Sequence, residues 1–336
     1  MTSAAPTGAL LGLPTVDEQL AADLRAGLAE VETGLRAAVE SGDPFVTDTS
    51  RHLMEAGGKR FRAMLVLLAA RFGDPGAREI VPAAVVIELT HLATLYHDDV
   101  MDEAALRRGE PSANARWGNT VAILTGDYVF ARASELLAGL GPEAVRIQAA
   151  TYARLVYGQI KETVGPREGD DALAHYLQVV SDKTASLIAT SGRFGAMFAG
   201  ADARTVETIT RACEALGTAF QLSDDILDVV SESAESGKTP GTDLREGVLS
   251  LPVLHALRSR DPEGERLRTL LSGPLTDDER LLEALSLLRA HPAMDQARTD
   301  LRRWADDARA EIVTLPDIPA RAAFEALCDF VIDRSG

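Results

Sequence analysis

Residues 81–102, VPAAVVIELTHLATLYHDDVMD, decide how the rest of the chain is read. From position 81 to 95 apolar side chains fall on nearly every side of a helical wheel, which marks a helix enclosed by others. Its end carries Asp98, Asp99 and Asp102. Asp98 and Asp102 are four residues apart and so lie one turn apart on one face, with Asp99 beside them. Carboxylates crowded in this way repel one another unless a cation sits among them.

Working outward, the same spacing returns in Asp224-Asp225-Ile226-Leu227-Asp228, again inside an apolar stretch, residues 220–230. One such triplet in an acidic protein is explained by a solvated helix face. Two identical triplets, each flanked by apolar residues, point to a cage for a hard divalent ion. Magnesium takes few carboxylates, several waters and the oxygens of a substrate phosphate. Two carboxylate sets facing each other across a bundle core would therefore grip a diphosphate through Mg2+.

Cations supply a second anion site. Gly57-Gly58-Lys59-Arg60-Phe61-Arg62 places three positive charges at a glycine-rich helix start, where free backbone N–H groups favour an anion. Arg107-Arg108 follow the first triplet and lead into the turn Gly109-Glu110-Pro111. His91 lies two turns before Asp98 on the same face; its default reading is a core histidine with a satisfied partner. Lys183-Thr184 and Lys238 complete the positive set. Only four lysines stand among the 34 basic residues, so three of them at motif positions are notable.

Elsewhere apolar residues recur at three and four, and strand-like alternation is nearly absent. The spacing predicts helices over 17–39, 61–72, 77–101, 113–138, 143–163, 172–200, 204–230, 249–258, 277–289, 294–312 and 318–332. Breaks fall at Gly73-Asp74-Pro75-Gly76, Gly141-Pro142 and Gly165-Pro166. Residues 231–247 read as a polar loop, and 1–14 as a disordered tail. No repeat or low-complexity linker is visible. The expected fold is all-α: residues 15–336 as a single large bundle of antiparallel helices around a central apolar cavity.

Bulk composition agrees. The chain has 336 residues, 46% of them apolar, enough for a core without metal or disulfide staples. Its two cysteines, Cys213 and Cys328, suit a reducing cytoplasm and no structural zinc. A net charge of −17 argues against nucleic acid as a partner. No basic region precedes the first apolar residues, and charges interrupt the apolar runs before the roughly 18–20 residues a membrane span needs. A soluble cytoplasmic protein is expected.

Taken together, these motifs resemble the trans-isoprenyl diphosphate synthase (polyprenyl synthetase) family, over about residues 57–257. Gly57 to Arg62 resembles its isopentenyl diphosphate site, with Gly58, Lys59, Arg62, His91 and Arg108 as contacts. His97-Asp98-Asp99-Val100-Met101-Asp102 is similar to its first aspartate motif, and Arg107-Arg108-Gly109 to the diphosphate-binding pair after it. Lys183, Thr184, Gln221, Asp224, Asp225 and Asp228 are similar to the later lysine, glutamine and second aspartate motif, and Lys238 to the loop lysine before Gly241-Thr242-Asp243-Leu244. Two departures stand out: Ala63 replaces the usual proline, a mild backbone change, and Val248 stands where many members place a second loop lysine.

The resemblance implies an isoprenoid synthase fold and Mg2+-dependent head-to-tail (1'-4) condensation of isopentenyl diphosphate onto an allylic diphosphate primer. The metal ligands would be Asp98, Asp99, Asp102, Asp224, Asp225 and Asp228, holding three ions with substrate bound. Arg107, Lys183, Thr184, Gln221 and Lys238 would bind the allylic diphosphate. A homodimer is implied, with no membrane span, though a long product would favour transient membrane contact at release. Short-chain members carry aromatic residues just before the first motif. Here Ala93 and Thr94 stand there, about 7.5 Å down the helix at 1.5 Å per residue, so a product of six or more isoprene units is expected. Leu89 and Val86 would line the wall further down, and Tyr128 and Phe130 would form the stop. The alternative for the small residues is close helix packing. The rivals for the whole chain are a class I terpene cyclase, which needs no isopentenyl site, and a subunit of a heteromeric synthase.

Overall fold

The structure, a computed structural model, describes residues 17–231, 240–260, 262–271 and 273–334. The tail expected over residues 1–14 and much of the loop read at 231–247, Lys238 included, lie outside the described residues.

In chain order the helices are α1 (Glu18–Ala38), α2 (Pro44–Glu55), α3 (Phe61–Ala69), α4 (Ile80–Met101), α5 (Ala113–Trp117), α6 (Asn119–Ala138), α7 (Pro142–Val164) and α8 (Ala172–Val180). They continue as α9 (Ser186–Phe198), α10 (Ala203–Val230), α11 (Thr242–Glu246), α12 (Leu251–Arg258), α13 (Pro262–Leu270), α14 (Asp278–Ala290), α15 (Ala293–Ile312) and α16 (Pro319–Asp333). Among the described residues the only strands are β1 (Leu106–Arg107) and β2 (Glu110–Pro111), which form one short hairpin. The all-α class expected from the sequence is the class observed.

Several helix starts follow directly from local chemistry. Asp17, Asp43, Asp171 and Asp277 each accept a backbone N–H of the first turn, as in the 2.7 Å bond from Leu20 N to Asp17. At α2 the cap is followed by Pro44, whose missing N–H costs nothing at that position. The structure also corrects the sequence reading in three places. The helix expected over 113–138 breaks at Gly118, where φ is +86°. The one expected over 172–200 is interrupted by a π-helical turn, Ser181–Ala185. The loop read at 231–247 contains α11. Neither α2, α13 nor the hairpin was expected.

Chain contacts divide the protein into two compact units. The first comprises the described residues up to Ala153, with Leu187–Thr210 and Leu315–Ala323. Its centre is α4, packed by α1, α3 and α6. Val85, Val86, Ile87, Leu89, Leu92 and Ala93 of α4 are at most 2% exposed, each aliphatic side chain of Val, Ile or Leu worth roughly 1.5–3 kcal/mol on burial. Although α4 is the one described helix long and apolar enough to cross a membrane, 72% of its most apolar window is buried inside the protein. Tyr96 of α4 fastens α2: its hydroxyl donates to Thr49 O (2.6 Å) and accepts from Leu53 N (3.2 Å).

The second unit comprises Arg154–Ser186, the described residues of Arg211–Thr314, and the chain from Phe324. Here α12 is central, packed by α8, α13, α14 and α15. Leu251, Val253 and Ala256 face a core that includes Leu267, Leu285, Leu288 and Leu301, all buried. His255 Nε2 meets Asp300 at 2.8 Å and joins α12 to α15.

Cys213 and Cys328 are both fully buried in the second unit, and burial pushes each thiol up to about 12. A thiol reagent at pH 8 should therefore find no reactive cysteine in the native protein and two after denaturation. Rapid labelling of the folded protein would contradict this placement.

Candidate active site

The first aspartate triplet closes α4. Asp102 caps it, its N–H bonding Asp98 O at 2.8 Å. The three side chains differ sharply in environment. Asp98 is half-buried and Asp102 exposed, whereas Asp99 has no exposed surface. Its Oδ1 accepts a 2.5 Å bond from Arg107 Nε, and its Oδ2 is buried without a hydrogen-bond partner. Burial raises the Asp99 pKa even with Arg107 alongside.

Arg107 and Arg108 are delivered by the hairpin. Arg108 and Gly109 have φ of 56° and 83°, the two positive values of a type I′ turn. This turn points the neighbouring guanidiniums to different tasks. Arg107 pairs with Asp99, while Arg108 Nη1 donates to Leu53 O at 2.7 Å and also to Gly57 O. A side chain at Gly58 would sit 3.0 Å from the Arg108 guanidinium carbon, so only glycine leaves Arg108 in place.

In the segment expected to hold isopentenyl diphosphate, one cation turns inward. Arg60, in the left-handed region at φ 47°, is 8% exposed and bonds Glu32 Oε1 (2.5 Å) and Met54 O (2.8 Å). It is a structural peg, leaving Lys59 exposed. His91 lies among four arginines: burial first, then Arg62, Arg108, Arg60 and Arg107, hold its pKa well below the ordinary value. Buried Glu88 partly offsets this positive charge and accepts Ala63 N–H at 3.0 Å. Proline could not donate that bond, so Ala63 is more than a mild backbone change.

In the second unit the triplet on α10 again buries its middle member. Asp225 is 4% exposed; Oδ2 accepts from Tyr176 Oη (2.5 Å) and Leu251 N (3.0 Å), and Oδ1 from Gln221 Nε2 (3.1 Å). Burial still raises it to about 6. Gln221 Oε1 in turn accepts from Thr184 Oγ1 at 3.2 Å. Asp228 receives the N–H groups of Thr242 and Asp243, both at 3.1 Å, and so holds the start of α11. Asp224 pairs with Arg334 at 2.9 Å. Lys183, on the π-helical turn, is ion-paired with Glu162. Lys238 falls outside the described residues, and Val248 is 40% exposed.

The sequence reading missed Glu88, Tyr176, Glu162 and Arg334. Only Glu88 carried a signal, as an acid at the centre of an apolar helix. Of the chain-length residues, Val86, Leu89 and Ala93 are fully buried and Thr94 is 9% exposed. Ala93 O would lie 3.1 Å from a Cβ on Gly126, so α4 and α6 approach closely there and the close-packing explanation for Ala93 has structural support. Phe130 stacks on Tyr152 at 4.2 Å, and Tyr128 is half-buried.

Among the described residues no three His, Cys, Asp or Glu side chains form a ready metal cage. The donor set nevertheless fits a hard cation that arrives with a phosphate: oxygen ligands one turn apart, and an unsatisfied buried carboxylate oxygen on Asp99.

Residues 43–288 match the Polyprenyl synthetase family. The chain belongs to that family. It is 52% identical over 332 residues to nonaprenyl diphosphate synthase of Mycobacterium tuberculosis, covering 98% of this chain and 99% of that one. It is 42% identical to the dimethylallyltranstransferase of the same organism, covering 94% and 96%. Its structure resembles geranylgeranyl pyrophosphate synthase from Corynebacterium glutamicum complexed with calcium and isoprenyl diphosphate, with a TM-score of 0.87 and 46% identity over 95% of this chain and 98% of that one. Isoprenyl diphosphates and divalent ions thus belong to the chemistry of its relatives.

Because folding lowers the His91 pKa, the folded chain binds fewer protons than the unfolded chain below about pH 6.5. Its contribution to stability is present above that value and is lost as pH falls toward the depressed folded pKa. Unfolding free energies of His91→Gln from urea titrations should therefore fall less steeply between pH 6.5 and 5 than those of the wild type, by at most about 1.4 kcal/mol per pH unit. Parallel slopes would mean that His91 titrates normally.

Proposed function

We propose that the chain is an all-trans polyprenyl diphosphate synthase that adds isopentenyl diphosphate units to an allylic diphosphate and makes a product of six or more isoprene units. The observation that carries this is the pairing of motif and environment. Each aspartate triplet has its middle carboxylate clamped inside the protein, and an arginine-rich site of excess positive charge surrounds His91. Likeness to a nonaprenyl diphosphate synthase across nearly the whole of both chains supports the long product.

Asp98, Asp102 and Asp224 are the outward ligands in this reading. Asp99, Asp225 and Asp228 complete the set and hold the geometry. These carboxylates would hold Mg2+, three ions with substrate bound, which would supply positive charge to neutralise the allylic diphosphate and make it a better leaving group. Arg107, Lys183 and Lys238 would each add positive charge for the allylic diphosphate, Lys183 after leaving Glu162. The C1–O bond of the primer breaks and the diphosphate departs with its electron pair. The isopentenyl double bond then forms the new C–C bond, with Gly58, Lys59, Arg62, His91 and Arg108 holding its diphosphate. A proton lost to the departing diphosphate restores the alkene. The Gln221 and Thr184 dipoles lie near the developing cation.

The chain acts as one all-helical domain and as a homodimer in the cytoplasm. Support for self-association comes from exposed apolar side chains: Ile123, Leu124 and Val145 in the first unit, and Val156, Tyr157, Ile160 and Val164 in the second. Transient membrane contact would serve release of a long product.

Purified protein with Mg2+, farnesyl diphosphate and excess labelled isopentenyl diphosphate should give a product ladder ending at six or more units. Ala93→Tyr should shorten it, with Thr94→Phe as a second probe if tight packing at Gly126 rejects the tyrosine. An unchanged ladder in both variants would remove these positions from chain-length control. No incorporation by the wild type would favour a cyclase or a partner subunit.

Among the described residues no three carboxylates form a ready cage, so Mg2+ alone should leave the melting temperature unchanged. Mg2+ with inorganic pyrophosphate should raise it, by linkage of about 2.7 kcal/mol at a hundredfold excess over Kd. Equal shifts from Mg2+ with and without pyrophosphate would show a resident ion instead.

A further inference from the structure

We propose that Tyr176 is a positioning residue for the reaction: its hydroxyl, through Asp225, fixes the orientation of Asp224, Gln221 and Thr184 at the departing diphosphate. This rests on the prenyl-transfer reading above.

The geometry is a closed ring of polar contacts in the second unit. Tyr176 on α8 donates to Asp225 Oδ2 at 2.5 Å, and Asp225 Oδ1 accepts from Gln221 Nε2 at 3.1 Å. Gln221 Oε1 accepts from Thr184 Oγ1 at 3.2 Å, which returns to the chain just after α8. Between Tyr176 and Thr184 the backbone passes into the π-helical turn Ser181–Ala185, a feature that often marks functional sites. The phenol thus ties α8 to the face of α10 that carries the triplet. Leu251 N–H holds the same carboxylate oxygen from the start of α12, but as a fixed backbone donor outside this ring.

Without the phenol hydroxyl, Asp225 keeps two donors and loses its link to α8. The α10 carboxylates and the Lys183-Thr184 turn would then be free to shift against each other. A displacement near 1 Å at a reacting centre costs up to roughly a hundredfold in rate. Phenylalanine fills the same volume, so Tyr176→Phe isolates the hydrogen bond from the packing.

Initial rates of Tyr176→Phe should show kcat down about tenfold and a several-fold higher half-saturating Mg2+ concentration. KM for isopentenyl diphosphate should change less than twofold, since its proposed contacts lie in the first unit. A double-mutant cycle shows whether Tyr176 works through Asp225. On an Asp225→Asn background, adding Tyr176→Phe should change kcat by less than twofold. If the Phe variant does not fold, Tyr176→His, which keeps a ring donor, should fold and retain more than half of the wild-type kcat.

A lowered melting temperature with unchanged kcat and Mg2+ dependence would overturn the proposal, leaving Tyr176 a purely structural group. A full additive loss on the Asn background, or a His variant as impaired as a deletion of the ring, would overturn it too. A wild type that never incorporates isopentenyl diphosphate sinks the parent reading and this one together, whereas equal turnover by wild type and Phe variant sinks only this one.

Discussion

The burial of one carboxylate in each aspartate triplet is the constraint around which this protein is arranged. Taking an ionised carboxylate out of water costs several kcal/mol unless partners replace its hydration. Asp99 and Asp225 are 0% and 4% exposed, and each is met by at least one polar partner from another element. A hairpin guanidinium serves Asp99; a phenol, an amide and a backbone N–H serve Asp225. Both carboxyl pKa values are nevertheless raised, so desolvation outweighs these contacts. Clamping the middle residue fixes the rotation of its helix, and the flanking aspartates at the first and last positions are oriented as a consequence.

The cationic side is shaped by the opposite problem, too much like charge. Arg60, Arg62, Arg107 and Arg108 all act on His91, and Glu88 is the buried acid that moderates them. Two of the arginines are ion-paired with acids: Arg60 with Glu32, and Arg107 with Asp99. A site built this way repels cations, lowers the pKa of its histidine and would gain most from an anion such as the proposed diphosphate. Ala63 belongs to this balance, because its N–H donates to the Glu88 carboxylate.

Much of this was legible in the sequence because it depends on periodicity. An apolar helix ending in Asp98, Asp99 and Asp102 reads as a buried helix with a charged mouth, and α4 is that helix. Where the sequence reading fell short, the determinants are local geometry or distant contacts. Asp43-Pro44 is a cap signature for α2, but the helix has too few apolar positions to show a stripe. Gly118 and the π-helical turn break helices whose apolar spacing runs straight through. The roles of Tyr176 and Arg334 come from contacts made some 50 and 110 residues away in sequence, about which spacing says nothing. Spacing also treats the three aspartates of a triplet alike, whereas burial separates them.

Ala93 shows how one position can answer to two demands. Helix α4 must pack closely on α6 at Gly126, and a small residue beside that contact lets the backbones approach. The same residue sits five positions before the first aspartate, on the wall along which the product tail would descend in the proposed reaction. A larger side chain there would both obstruct the tail and press on α6. Product length would then be coupled to the packing of the helix at the centre of the first unit. Lengthening or shortening the product by substitution at this wall should be easiest at Thr94, which is 9% exposed where Ala93 is not exposed at all, and whose hydroxyl donates to His91 O within its own helix at 2.8 Å.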